Sequence, residues 1–184
     1  MRIERNDLIF QPSEGVQCHA SHLTPLADGG VLAVWFQGSR EGADDVCIWG
    51  ARFSSDGKWS ETRRISPEDG LPHWNPVLFR RADGEILLFY KRGRTIAYWQ
   101  TMVMKSADEG KSWTEPRELV PGDEGGRGPV RNKILRLSDG SLLAPASIEQ
   151  GEWRCFMDRS DDEGETWTRT ADIRLPGVHN VENY

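Results

Sequence analysis

The sequence predicts an all-β protein in which one four-stranded antiparallel unit is used about three times, the layout of β-propeller blades. Three observations carry this. Trp59, Trp113 and Trp167 stand at equal intervals of 54 residues, and two of them close nearly the same phrase, Ser106-Ala-Asp-Glu-Gly-Lys-Ser-Trp113 and Ser160-Asp-Asp-Glu-Gly-Glu-Thr-Trp167. The turns Ala27-Asp28-Gly29-Gly30, Ala82-Asp83-Gly84 and Ser138-Asp139-Gly140 recur at nearly the same period, their Asp positions 55 and 56 residues apart. After each turn comes a short apolar run: Val31-Leu-Ala-Val-Trp-Phe36, Ile86-Leu-Leu-Phe-Tyr90 and Leu142-Leu-Ala-Pro-Ala146. A period near 50 residues means a supersecondary unit that cannot bury its apolar face without a neighbour.

Each element follows from local chemistry. Asp-Gly between apolar runs marks a hairpin, because glycine supplies the positive φ of the tight turn. The apolar runs read as strands buried on both faces. Filling in the remainder gives strands at about 17–25, 30–37, 46–53 and 59–65 in the first unit, and about 74–81, 85–92, 98–105 and 113–119 in the second. The third unit offers about 129–137, 141–147, 152–159 and 167–173. Sustained helical periodicity with caps is absent, so low helix content is expected.

As a single partial domain over 1–184, the chain divides into blades at approximately 16–66, 72–120 and 128–174, with a fourth beginning at 177–184. A propeller closes with about 4–8 blades, so the expectation is half of a six-bladed ring. Two apolar blade faces would then need cover, from self-association or from a second chain supplying the missing blades. The extended segment from Arg2 to Phe10 is expected to take part in that cover.

Composition narrows the function. The chain has 184 residues, a formal net charge of −6 and eight tryptophans. Nucleic acid and anionic membrane need a basic footprint, which this balance argues against, whereas local Arg and Lys can still take a small anion. Cys18, Cys47 and Cys155 are odd in number and share no short spacing, so neither a disulfide framework nor a zinc site is indicated. His19 and His22, the closest pair of histidines, fall on opposite faces of a strand. No metal and no cofactor is expected. Without an apolar leader or a membrane-spanning run, the chain as given reads as cytoplasmic.

The two full phrases follow Ser-x-Asp-x-Gly-x-Ser/Thr-Trp and resemble the Asp boxes, or BNR repeats, of the sialidase superfamily; Ser54-Ser-Asp-Gly-Lys-Trp59 resembles a shortened copy. Their role is structural, with Asp and Ser satisfying turn N–H groups and Trp packing between sheets. Cys18-His-Ala-Ser21, Trp35-Phe-Gln-Gly-Ser-Arg-Glu-Gly42, His73-Trp-Asn-Pro-Val-Leu-Phe79, Arg131-Asn-Lys133 and Ser141-Leu-Leu-Ala-Pro-Ala-Ser147 resemble the BNR-repeat-like branch of the neuraminidases. The resemblance covers essentially the whole chain and implies a sialidase-like β-propeller with its site at the mouth of the central channel.

That resemblance implies site residues. Arg40, in its Gly-Ser-Arg-Glu setting, matches an Arg that contacts the sugar in sialidases, and Asp44 or Asp45 occupies the loop of the acid/base Asp. A carboxyl there can protonate a glycosidic oxygen if its pKa is raised. Glu41, Asn75, Lys91, Asn132 and His179 fall among the channel-lining positions. Arg131 and Lys133 lie one strand period apart between Val130 and Ile134, the pattern of a pair recognising an anion such as an acidic sugar. The first clamp Arg is missing, because Arg2-Ile3-Glu4 lacks the Pro of an Arg-Ile-Pro motif. The nucleophilic Tyr with its Glu belongs to later blades, and Glu182 and Tyr184 are not assigned to it. Hydrolysis of a sialoside is therefore expected only of a completed ring.

Two other readings stand beside it. The resemblance also extends to some seven-bladed relatives that are polysaccharide lyases acting on uronate-containing glycans, in which a His removes the C5 proton and a basic residue neutralises the carboxylate, roles that His19 or His73 with Lys91, Arg131 or Lys133 would suit. The third is a glycan-binding propeller module without catalysis.

Overall fold

The computed structural model describes residues 6–11 and 13–174. Its strands form three four-stranded antiparallel meanders, one per repeat unit. The first holds β1 (Gln17–Pro25), β2 (Val31–Gly38), β3 (Cys47–Phe53) and β4 (Arg63–Arg64). The second holds β5 (His73–Arg80), β6 (Ile86–Arg92), β7 (Gln100–Ser106) and β8 (Arg117–Glu118). The third holds β9 (Leu135–Arg136), β10 (Leu142–Ile148), β11 (Arg154–Ser160) and β12 (Thr168–Arg169). Among the described residues the only helix is a 3₁₀ turn at Ile96–Tyr98, matching the low helix content expected.

The turns explain the meander. Gly29, Gly84 and Gly140 adopt φ of 81°, 96° and 89°. In each turn the Asp carboxylate accepts the N–H two residues on, from Gly30, Glu85 and Ser141 at 2.9, 3.0 and 3.0 Å. One local conformation is thus written three times by one dipeptide.

Strand β6 shows why its sequence is a continuous apolar run. Ile86, Leu88 and Tyr90 join a core shared with Val34, Phe36 and Ile48 of the first sheet. Leu87 and Phe89, on the opposite face, join Leu142, Ala144 and Trp167 of the third. The middle blade is buried on both sides. At the leading side, Ala33, Trp35 and Ala51 of the first blade pack with Ile9 and Phe10, and the Phe10 ring stacks on Trp35 at 5.4 Å. The N-terminal segment therefore covers part of an outer blade face. On the trailing side of the third blade, Leu135 is 61% exposed.

Two groups of strands are shorter than expected. The fourth strands shrink to two residues because hydroxyls enter the ladder: Ser60, Thr114 and Thr170 accept from the N–H groups of Arg52, Lys105 and Met157 through their side-chain oxygens, each at 3.0 Å. The first strand of the third unit is only Leu135–Arg136, because here the chain closes a tight turn around Arg131, the Asn132 N–H donating to the Val130 carbonyl, where β1 and β5 pass their left-handed residue as a bulge.

The Ser106–Trp113 and Ser160–Trp167 phrases are turns between the third and fourth strands. Asp108 accepts from the Ser112 N–H at 2.8 Å and its hydroxyl at 2.6 Å, and Asp162 repeats this with the Thr166 N–H at 2.9 Å and its hydroxyl. Each turn is gripped by the preceding blade: Arg52 donates to the Glu109 carbonyl and Arg81 to the Glu163 carbonyl, both at 2.8 Å.

Candidate functional site

At the opposite end of the sheets, where β1 and β5 begin and β2 and β6 end, the three units repeat a second feature. Ala20, Asn75 and Arg131 adopt φ of 52°, 45° and 58°. They are spaced by 55 and 56 residues, so each blade places one non-glycine residue in the left-handed region at the same point of its inner segment. Ala20 and Asn75 sit where the β1–β2 and β5–β6 registers shift. Such residues cost about 1–3 kcal/mol each and concentrate at functional sites, and bulges re-aim side chains. All three line one cavity of about 640 Å³.

The cavity has a polar side and an aromatic side. His19 is half exposed, stacks on Phe36 with centroids 5.5 Å apart, and holds Nε2 3.8 Å from Oε2 of Glu41. The Glu41 N–H donates to Oε1 of Gln17 at 2.7 Å, which fixes the loop carrying it. Trp74 and Trp99 stack with centroids 5.1 Å apart, and Phe36 meets Trp74 edge-on at 5.5 Å. Arg131 contributes a guanidinium that has no ion-pair partner among the described residues. Arg94 supplies a second cation, paired with Asp44 and donating to the Gly70 carbonyl at 3.0 Å.

His19, Glu41, Asn75 and Arg131 are thus brought together; the other expected residues are elsewhere. Asp45 accepts from the Ser39 N–H and hydroxyl, both at 3.0 Å, and serves to close the β2–β3 loop. Asp44 is the ion-pair partner of Arg94 on the rim, while Arg40 is exposed and outside the lining.

His73 is fully buried, its Nδ1 2.8 Å from the Ser66 hydroxyl. Its Nε2 lies 3.3 Å from Asp69, at ion-pair distance but off the line of a hydrogen bond. Burial lowers its pKa, with Asp69 opposing. A side chain enclosed in this way has no access to a substrate.

Lys91 is buried, its Nζ 2.7 Å from both the Thr101 hydroxyl and the Arg127 carbonyl, and burial lowers its pKa to about 8. Arg131 and Lys133 do not act as a simple period-two pair, because the left-handed residue breaks the alternation. Arg131 enters the cavity, whereas Lys133 reaches β1 and donates to the Leu23 carbonyl at 3.3 Å. The Asn132 N–H closes a tight turn on the Val130 carbonyl at 2.6 Å, and Asn132 does not line the cavity. His179 and the start of a fourth blade lie outside the described residues.

Phe36, Trp74, Ile96, Trp99 and Arg94 are lining residues that site reasoning missed. For Arg94 a signal existed: Arg40 and Arg94 are 54 residues apart, so the repeat puts both on the loop between second and third strands. Among the described residues no cluster of His, Cys, Asp and Glu is arranged to hold a metal.

Three four-stranded blades fanned about a common inner edge, with a cavity where their inner segments converge, define a partial sialidase-like β-propeller. Residues 29–181 match the BNR repeat-like domain, and the chain belongs to that family. No curated protein sequence matches it. Among solved structures, a protein of unknown function from Dyadobacter fermentans is similar with a TM-score of 0.72 at 15% identity, over 90% of this chain and 57% of that one. A Hadza microbial sialidase aligns with a TM-score of 0.68 at 18% identity, over 88% of this chain and 38% of the sialidase. A family 117 glycoside hydrolase from the marine bacterium Zobellia galactanivorans aligns with a TM-score of 0.65 at 12% identity, over 88% and 58%. The chain thus spans between 38% and 58% of the length of these structures, and at such identities the likeness is one of fold.

Proposed function

We propose that this chain carries the ligand-binding floor of a carbohydrate-active, sialidase-like propeller and that its cavity holds an acidic sugar. The observation that carries the reading is the convergence of the three left-handed inner-segment residues, Arg131 among them, on one cavity. Arg131 takes the sugar carboxylate, with a guanidinium fork that matches it in shape and charge. Trp74 and Trp99 form an apolar wall for the ring face. His19 and Glu41 are the pair placed to move a proton, in preference to Asp44 and Asp45, whose oxygens are engaged by Arg94 and Ser39.

Tryptophan fluorescence titrated with N-acetylneuraminate, glucuronate and neutral galactose tests this. Acidic sugars should bind, and Arg131→Ala should weaken them by about tenfold or more. Equal binding of galactose, or an Arg131→Ala variant that binds unchanged, overturns the reading.

Glycoside hydrolysis needs two carboxyl groups flanking the bond, or a carboxyl and another nucleophile. Glu41 is the one carboxylate lining the cavity among the described residues, so turnover requires a second group from outside those residues. Leu135, 61% exposed on the trailing side of the third blade, supports further structure packing there. A second reading, β-elimination on a uronate glycan, is favoured by the imidazole of His19 beside two cations. Release of an unsaturated uronate absorbing in the ultraviolet supports it, and turnover of a sialoside reporter supports hydrolysis.

A further inference from the structure

The segment leading to Arg131 is held by two buried groups that the cavity does not use. Asp158, on β11 and fully buried, receives Arg127 Nε at 2.8 Å, Arg127 Nη2 at 2.8 Å and the Gly128 N–H at 2.6 Å. From the other side, Lys91 Nζ and the Thr101 hydroxyl both donate to the carbonyl of Arg127. Gly128 has φ of 74°, and a Cβ there would meet Leu119 at 2.3 Å, so the chain is threaded where no side chain fits. Only Pro129 and Val130 separate this grip from Arg131.

Lys91 is an expensive way to satisfy one carbonyl. A buried ammonium carries a large desolvation penalty, and an apolar residue of similar shape in its place is often neutral or stabilising. Thr101 already donates to the same oxygen. The lysine adds a second, charge-assisted bond that restrains where the segment runs, and it does so at the boundary between the second and third blades.

We propose that Lys91 and Asp158 are positioning residues that grip Arg127-Gly128 from two sides and so aim Arg131 into the cavity. The assignment rests on the reading of Arg131 as the carboxylate-binding group. Neither residue touches the ligand; both act through the backbone that carries Arg131.

The test uses Lys91→Met, Thr101→Val, Arg131→Ala and the double variant Lys91→Met/Arg131→Ala in the full chain. Two quantities are measured: amide hydrogen exchange over residues 127–132 without ligand, and fluorescence affinity for N-acetylneuraminate and glucuronate. Lys91→Met should speed exchange in that segment by about tenfold, leave β6 and β10 unchanged and keep the melting temperature level or higher. It should weaken acidic-sugar binding by about fivefold, with no further loss when Arg131 is already Ala, since a residue acting through another gives a non-additive cycle. Thr101→Val, which nearly keeps shape but removes both the neighbouring donor and the hydroxyl that Lys91 Nζ meets, should speed exchange in the same segment, and it decides the matter if Lys91→Met does not fold. Unchanged exchange in both variants overturns the proposal. So does a loss of affinity that is as large in the Arg131→Ala background as in the wild type. If the wild type binds neither acid, the acidic-sugar reading falls, and the exchange measurement alone decides whether the grip exists.

Discussion

Trp113 and Trp167 occupy the same place in the same phrase, yet replacing them should have unequal effects. Trp167 is 7% exposed, sits in the core between the second and third blades, meets Phe89 edge-on with centroids 6.0 Å apart, and donates from Nε1 to the Gly164 carbonyl at 3.1 Å. Trp113 is half-buried, and its indole N–H has no partner because Arg63 takes the Gly110 carbonyl instead. Trp167→Ala removes about 150 Å² of buried apolar surface, or about 4 kcal/mol at roughly 25 cal/mol per Å², and leaves a buried carbonyl short of a donor at a further cost of about 1 kcal/mol. That is a large part of the roughly 5–15 kcal/mol that holds a domain folded. Trp113→Ala forfeits less area and no hydrogen bond, for a cost of about 1–2 kcal/mol. Urea unfolding followed by far-ultraviolet circular dichroism, which does not depend on the deleted chromophore, reads both. A cost for Trp113→Ala equal to or above that of Trp167→Ala refutes the reasoning.

Four further outcomes are expected. His22 accepts the Leu78 N–H on Nδ1, and burial, with Lys133 adding to it, lowers its pKa to about 4. Because the unfolded imidazole binds its proton near pH 6.5, stability is intact above that value and falls as pH drops toward 4. Wild type should therefore lose about 3 kcal/mol more than His22→Gln between pH 7 and pH 4 in urea titrations. Asp158→Asn leaves the part-buried Arg127 without its counter-charge and should cost about 3 kcal/mol. Glu163→Gln, at the exposed Arg136–Glu163 pair, should cost less than about 1 kcal/mol by the same unfolding assay. Lys91 should lose its proton near pH 8 when folded but nearer 10.5 when unfolded. Wild-type stability should therefore rise relative to Lys91→Met as pH climbs through that window, as urea unfolding at pH 7 and pH 10 would read.

The architecture was legible because its causes are local. Asp28-Gly29, Asp83-Gly84 and Asp139-Gly140 each bend the chain through their own side chain and their own positive φ. The double-sided burial of β6 is announced by Ile86-Leu-Leu-Phe-Tyr90. The site was legible only in part. Glu41 and Asn75 followed from the family resemblance, and His19 and Arg131 also from their polar character on inner segments. Arg94 was overlooked although the repeat placed it opposite Arg40, and the aromatic wall of Trp74 and Trp99 was indistinguishable from core.

By itself the sequence determined the repeat, the strand count and the turns, since each depends on residues within a few positions of one another. The tertiary structure alone decided where the charged side chains go. Lys91 and Lys133 serve carbonyls across blade boundaries at Arg127 and Leu23, His73 is sealed against Ser66 and Asp69, and Asp44 is taken by Arg94, fifty residues away. The physical reason is that a polar side chain in a packed molecule goes to the nearest complementary group in space. Between stacked blades, that neighbour can be tens of residues away in sequence.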